Sequence, residues 1–361
     1  MKTVLLIVAC VVLAGVLLVV VRTDRTGSAV SPGERAPVPK PVPVVAVSNA
    51  MPKLPAPKLK ARPAVPPVVE AKGPETPKGL RELLEGYLAG KQRSAASLLA
   101  VSRITKDLAL LDEAKQRFPG NPQVLLDWLL RSAATPEEKK QALNDLRKAA
   151  PDNAMGDYLF ALQQFEAGDM DGAVVALWQG LQKPVADAYF MDAVRASEEA
   201  YLGVGYPPAR AVSTAMWGME MNVLGPMRQL ADWTLDMQAA YATGGDAESA
   251  RDVARMGSAM GAALQQQFEH GVVLEELVAI AIERKFLERL DPAVELVAGG
   301  QTAGARLNDL NALKEQIKSA LQATTVLRDQ LDESAKMEYY QQVKLKGELG
   351  ALLWLQQMKK Q

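Results

Sequence analysis

Residues Ala150–Pro184 read AAPDNAMGDYLFALQQFEAGDMDGAVVALWQGLQKP, and their punctuation defines a helical hairpin. Pro151 closes a preceding helix, because its ring removes an amide donor, and Asp152 and Asn153 offer side-chain oxygens to cap the next one. Apolar residues then recur at Tyr158, Leu159, Phe160, Leu162 and Phe165 with helical spacing, until Gly168-Asp169 forms a turn. A second stripe, Ala173, Val174, Leu177, Trp178 and Leu181, runs on to Pro184. The small Ala173 falls where the second helix presses closest on the first. Two such short helices cannot bury their shared face alone, so stacked neighbours are required.

Worn copies of the unit lie on both sides. Upstream, DLALLDEAKQRFPGNP sets Leu108, Leu111, Ala114 and Phe118 on one face before Pro119. Pro119-Gly120-Asn121 and Pro151-Asp152-Asn153 stand 32 residues apart. Between them, Val124, Leu125, Trp128 and Leu129 mark one helix. Thr135-Pro136-Glu137-Glu138 opens another, which carries Ala142, Leu143, Leu146 and Ala149. Downstream, YATGGDAESARDVARM places Gly245-Asp246 before Ala250 at the spacing of Gly168-Asp169 before Ala173, following Leu230, Trp233, Met237 and Tyr241 at helical intervals. Residues 186–229 fit no repeat, although Tyr189, Phe190, Val194 and Tyr201 give one helix and Tyr206-Pro207-Pro208 opens another.

Residues 107–182, with a weaker echo at 230–260, resemble tetratricopeptide repeats, a family of hairpins about 34 residues long. The resemblance rests on Pro151, Gly168-Asp169 and Ala173, which match the family's terminal-proline, turn and small-residue positions. It implies an irregular α-solenoid whose stacked hairpins present a concave surface to a protein partner. Two positions depart from the pattern: Asp157 stands where the first helix of the family carries an aromatic, and Lys139 replaces the small residue of the upstream unit. The family's peptide-binding residues match no position here.

Composition agrees with an all-α class. The chain has 361 residues, 48% hydrophobic and 5% aromatic, and good helix formers dominate after residue 79. Its single cysteine, Cys10, excludes an intrachain disulfide and a cysteine metal site. The net charge of −1 conceals a split: residues 1–78 hold 11 Lys and Arg against 4 Asp and Glu, and the remainder 30 against 38. A mildly acidic body lacks the basic footprint of a nucleic-acid binder.

Four segments follow from this reading: an anchor (1–25), a proline-rich linker (26–78), a helical body (79–300) and a C-terminal helix or helix pair (301–361). Val4–Val21, VLLIVACVVLAGVLLVVV, is an uncharged run long enough to cross a bilayer, bracketed by Lys2, Arg22 and Arg25. A cleaved signal peptide calls for a small-residue site where Val19–Arg22 stand, and a lipobox at Ile7–Cys10 is followed by eleven further apolar residues. An uncleaved single-pass anchor is the expectation. Positive charge on both flanks nearly cancels the orientation bias. Ser31–Lys78 holds 13 of the 22 prolines, which reads as a polyproline II spacer or, alternatively, a docking site for a proline-recognising groove. The Val-Pro weave of Val38–Val47 resembles the periplasmic spacers of bacterial envelope proteins and directs the body outside the inner membrane.

From Leu264 to Leu290 the pattern stays helical, until Asp291-Pro292 and the glycine-rich 299–304. Leu310, Leu313, Ile317, Leu321, Leu327 and Leu331 then line either a coiled-coil seam or a helix packed on the body. No constellation carries chemistry. The single histidine, His270, stands beside Glu269 and ahead of Glu275 and Glu276 without a second histidine four residues away, so a zinc-protease helix is not formed. Met216, Met219, Met221, Met227, Met237, Met256 and Met260 read as a copper(I) thioether cluster or as core filler, and Trp217, Leu224, Leu230 and Trp233 interleaved with them favour the core. No catalytic, cofactor-binding or metal-ligating residue is assigned. The expected function is a membrane-anchored, non-enzymatic scaffold for a protein partner in the bacterial envelope. The alternatives are a helical enzyme or ligand carrier with a site in 186–300, lined by Glu269, His270 and Glu275, and a cytoplasm-facing recruitment adaptor.

Overall fold

The computed structural model describes residues 79–268, 271–297 and 299–358. The apolar run Val4–Val21, with its cleavage and lipidation alternatives, the proline-rich linker, Glu269 and His270 lie outside them. The described residues are all-α, with fourteen helices and only two isolated β-bridges, Asn153 with Val185 and Glu295 with Thr302. The helices are α1 (Leu80–Gly90), α2 (Ala95–Thr105), α3 (Leu108–Arg117), α4 (Pro122–Arg131), α5 (Pro136–Ala149), α6 (Met155–Glu166) and α7 (Met170–Leu181). They continue with α8 (Phe190–Gly203), α9 (Pro208–Trp217), α10 (Leu224–Thr243), α11 (Ala247–Phe268), α12 (Val273–Leu287), α13 (Ala303–Gln330) and α14 (Glu333–Met358).

Local chemistry sets the boundaries. Asn121 accepts the amides of Gln123 and Val124 ahead of Pro122, and Thr135 and Glu138 close a reciprocal capping box ahead of α5. Of the two capping candidates after Pro151, it is Asn153 that caps: its Oδ1 accepts the Met155 amide at 3.0 Å, and its amide group donates to Asp187 O and Tyr189 Oη. The two Gly-Asp turns share one geometry. Gly168 and Gly245 have φ of 79° and 82°, and Asp169 and Asp246 each donate their amide five residues back. Their side chains then accept the amides of Gly172 and Ser249. Only glycine adopts such a φ at no steric cost, which explains its place in both turns.

Tertiary packing joins these two hairpins directly. α6 packs on α10 and α7 on α11, although 42 residues lie between α7 and α10 in sequence. Phe165 stacks on Trp233 with centroids 5.9 Å apart and rings within 5° of parallel, and Gln229 donates to Glu166 at 2.8 Å. Leu177, Phe165, Tyr158, Leu230 and Met260 are at most 1% exposed, each burial being worth about 2 kcal/mol. The intervening hairpin α8–α9 swings away to bridge both ends of the body: α8 lies on α1 and α2, and α9 on α14. Gly203 abuts the Tyr87 ring, Gln123 of α4 donates to Asp192, and Lys344 of α14 pairs with Glu198 at 2.5 Å. Val194, Val212 and Met216 thereby join a second core with Ile280, Leu310, Tyr339 and Leu352.

One sequence expectation changes, and the alternatives left open at the C-terminus are decided. The helix read as continuous from Leu264 to Leu290 breaks between Phe268 and Val273, beside Gly271. The final segment is two helices, and α14 is itself interrupted at Gly347, whose φ of 71° and ψ of 171° are open only to glycine. The leucines of α13 pack inside the chain, since Leu310 and Ile317 are buried and α13 lies on α12 and α14. Leu83 of α1 is 56% exposed, while Leu80, Leu84 and Leu88 of the same helix are buried.

The closest helix pair is α11 with α12, where Gly257 and Gly261 admit Phe286 and Glu283. A Cβ at Gly261 would stand 2.6 Å from Glu283 Cβ and 2.7 Å from its backbone. Gly261→Ala is therefore expected to cost about 2 kcal/mol in urea unfolding. Gly86→Ala, in the open middle of α1, is expected to stabilise by about 0.5–1 kcal/mol.

Candidate functional site

A cleft of about 710 Å³ opens between α5 and α7, with the start of α6 as its floor. Gln141, Asn144, Arg147 and Lys148 line the α5 side, and Trp178, Gln179, Gln182 and Lys183 line the α7 side. It is a broad, open groove rather than an enclosed cavity. The residues reach one surface because 141, 144 and 148 share a face of α5, and 178, 179 and 182 a face of α7.

Asp157 organises the floor. Its side chain is 1% exposed and ion-paired on both oxygens, to Arg147 Nε at 2.6 Å and to Lys183 Nζ. Arg147 also donates through Nη2 to Gln179 Oε1 at 2.9 Å and lies over the Phe160 ring at 4.6 Å. One buried carboxylate thus ties α5, α6 and the end of α7 together and aims two cations into the cleft. Gly180 lets the helices approach, since a Cβ there would meet Tyr158 at 2.6 Å. This explains the departure at position 157: the place read as an aromatic slot of the repeat family is a charged tie.

Much of the lining is uncommitted. Lys148 is exposed with no ion pair among the described residues, and the side-chain amides of Asn144 and Gln182 have no hydrogen-bond partner there. The Trp178 indole N–H is buried and also unpartnered. Three cations against one carboxylate leave the cleft with a positive excess on a body that is otherwise acidic.

A second cluster of ionisable groups lies where α14 breaks. Glu275 Oε2 accepts the Val272 amide at 3.2 Å, and Glu348 Oε2 accepts the Val273 amide at 2.8 Å, so two carboxyl groups cap the start of α12. The Gly347 kink brings Glu348 there and lets its amide donate to Gly271 O at 2.9 Å. Burial pushes Glu275 up to about 7, helped by Asp187 and Glu348, and raises Glu348 itself. At the rim, Arg328 lies 5.2 Å from the Trp217 ring centroid, and Trp217 donates to Tyr340 Oη, which donates to Ser213 Oγ.

Glu275, read as a possible lining residue of a site in 186–300, is 1% exposed and serves as a helix cap, and Glu276 is 6% exposed. Met216, Met227, Met237, Met256 and Met260 are at most 2% exposed and divide between the two hydrophobic cores, with Met219 and Met221 packed at the edge of the second. Among the described residues no group of three metal-ligating side chains occurs, and no helix is long and apolar enough to cross a membrane. The cleft residues passed unnoticed in the sequence because Gln and Lys on one helix face are the ordinary composition of a solvated surface.

Fold and cleft together define an all-helical protein of stacked hairpins with one basic, amide-lined groove. Compared with protein-family models, curated proteins and solved structures, the chain matches none of them.

Two outcomes follow. Asp157→Asn removes the charge that Arg147 and Lys183 share, and both cations are partly exposed. The expected loss is about 1–3 kcal/mol by chemical denaturation, below the cost of stranding fully buried charges. Glu275 holds its proton in the folded chain up to about pH 7 but only to about 4.5 when unfolded. Its contribution is complete below pH 4.5 and is lost as pH rises through 7, on the order of 3 kcal/mol. Glu275→Gln is expected to flatten that part of the stability–pH curve between pH 4.5 and about 7.

Proposed function

We propose that the chain is a membrane-anchored helical-repeat scaffold that mediates protein–protein interaction in a bacterial envelope. The observation that carries the reading is the direct stacking of α6–α7 on α10–α11 with matched Gly-Asp turns. These hairpins, with α4–α5, are degenerate tetratricopeptide-like units, and α8–α9 is an insertion that folds back across the stack. Stacked hairpins suit partner binding because they expose long helical surfaces while each unit leans on its neighbours. Val4–Val21 is an uncleaved single span, and the proline-rich stretch is a tether that at ~3.1 Å per residue reaches on the order of 100 Å. The body then works at a distance from the bilayer, outside the inner membrane.

In-cell crosslinking of the full-length chain, followed by denaturing purification, is expected to recover a discrete heterologous protein. Recovery of nothing beyond the chain itself under conditions that crosslink a control complex overturns the scaffold reading. A reporter fused after Gln361 is expected to be active only outside the inner membrane, and cytoplasmic activity reverses the orientation.

A further inference from the structure

We propose that the α5–α7 cleft is a binding site for an extended acidic peptide, its side-chain carboxylates held by Lys148, Arg147 and Lys183. This inference rests on the scaffold reading and adds the chemistry of the bound segment.

The cations are prepared for a ligand to different degrees. Asp157 sits beneath the surface and fixes the Arg147 and Lys183 side chains, so their positions at the cleft do not have to be ordered on binding. Arg147 spends Nε on Asp157 and Nη2 on Gln179, while no bond engages its Nη1. Lys148 is wholly uncommitted. The positive excess of the groove favours carboxylates, and the acidic character of the remaining body steers them to this one place.

A peptide suits the lining better than a simple anion. Asn144 on α5 and Gln182 at the end of α7 each present a free amide, which offers one acceptor oxygen and two donor hydrogens. A peptide backbone presents N–H and C=O groups and matches both. Gln141 donates to Asp145 and keeps its oxygen for an acceptor role. A phosphate can accept from the NH2 groups of both amides but carries at most one or two hydroxyl donors at one point, so it does not match donors and acceptors spread along both walls of the groove as a peptide backbone does. The proline-rich segment of the chain is excluded as occupant by charge, since residues 1–78 hold 11 cations against 4 anions.

The test uses the full-length chain in detergent and a fluorescent hexapeptide of alternating glutamate and alanine, acetylated and amidated so that only side-chain carboxylates remain. Anisotropy is expected to report binding that weakens with added salt. Lys148→Glu, at an exposed position that leaves the fold intact by circular dichroism, is expected to reduce affinity roughly tenfold, while Lys148→Arg retains it. Quenching of tryptophan emission by the peptide is expected to vanish in Trp178→Phe. The proposal is overturned by equal binding of the glutamine–alanine peptide, by unchanged affinity in Lys148→Glu, or by inorganic phosphate binding where the peptide does not. Partner crosslinking that persists undiminished in Lys148→Glu also overturns it and leaves the scaffold reading standing. Loss of crosslinking in the unmodified chain removes the scaffold reading itself.

Discussion

Neither α6 nor α7 can hide its apolar stripe by pairing with the other alone, and the body depends on the way α10 and α11 complete the burial. Phe165 on Trp233 is the visible point of that contact, and Leu177, Leu230 and Met260 lie buried around it. The stacking passes over 42 residues of intervening chain, so its closure carries an entropic cost that grows only slowly with loop length. The intervening residues are not left as a loop. They form α8–α9, whose apolar faces need burial of their own and find it against α1, α2 and α14.

That insertion changes what the stack is. An open row of hairpins has two free ends, each exposing an apolar face that a capping element must cover. Here α8–α9 reaches both the first helices and the last one, and a second core, from Val194 through Tyr339 to Leu352, forms along the bridge. The glycines at 203, 257 and 261 stand where helix backbones come closest, and each has a large or charged side chain pressed against it. Buried charges are handled in two ways. Asp157 and Glu283 take close cationic partners, the latter in a bidentate pair with Arg306, whereas Glu275 takes a backbone amide at a helix start and Glu348 takes another together with a longer pairing to Arg328 at 3.9 Å. Burial raises the pKa of both Glu275 and Glu348 despite these contacts.

Helix ends were legible because their signals are local. Thr135 with Glu138, Asn121 ahead of Pro122, and both Gly-Asp turns act within a few residues of themselves, and the structure repeats each one. The apolar stripes of α6 and α7 were legible for the same reason. The break near Gly271 was not, since apolar residues continue on both sides with helical spacing and the turn is held by Glu348, which lies 77 residues on. The cleft was not legible: Asp157 stood out only as a departure from the aromatic of the repeat pattern, and its partners Arg147 and Lys183 come from other elements.

Residue order by itself determined the all-α class, most helix boundaries and the shared geometry of the two Gly-Asp turns, because capping, periodicity and glycine conformation are short-range properties. Tertiary structure alone decided which hairpins are neighbours, where α8–α9 goes, and that the α13 leucines face the chain's own core. It also decided that Arg147 of α5 and Lys183, just past the end of α7, meet at Asp157. Those outcomes depend on burying apolar area and satisfying charge between segments far apart in sequence, and no local pattern encodes which distant face will be there to receive them.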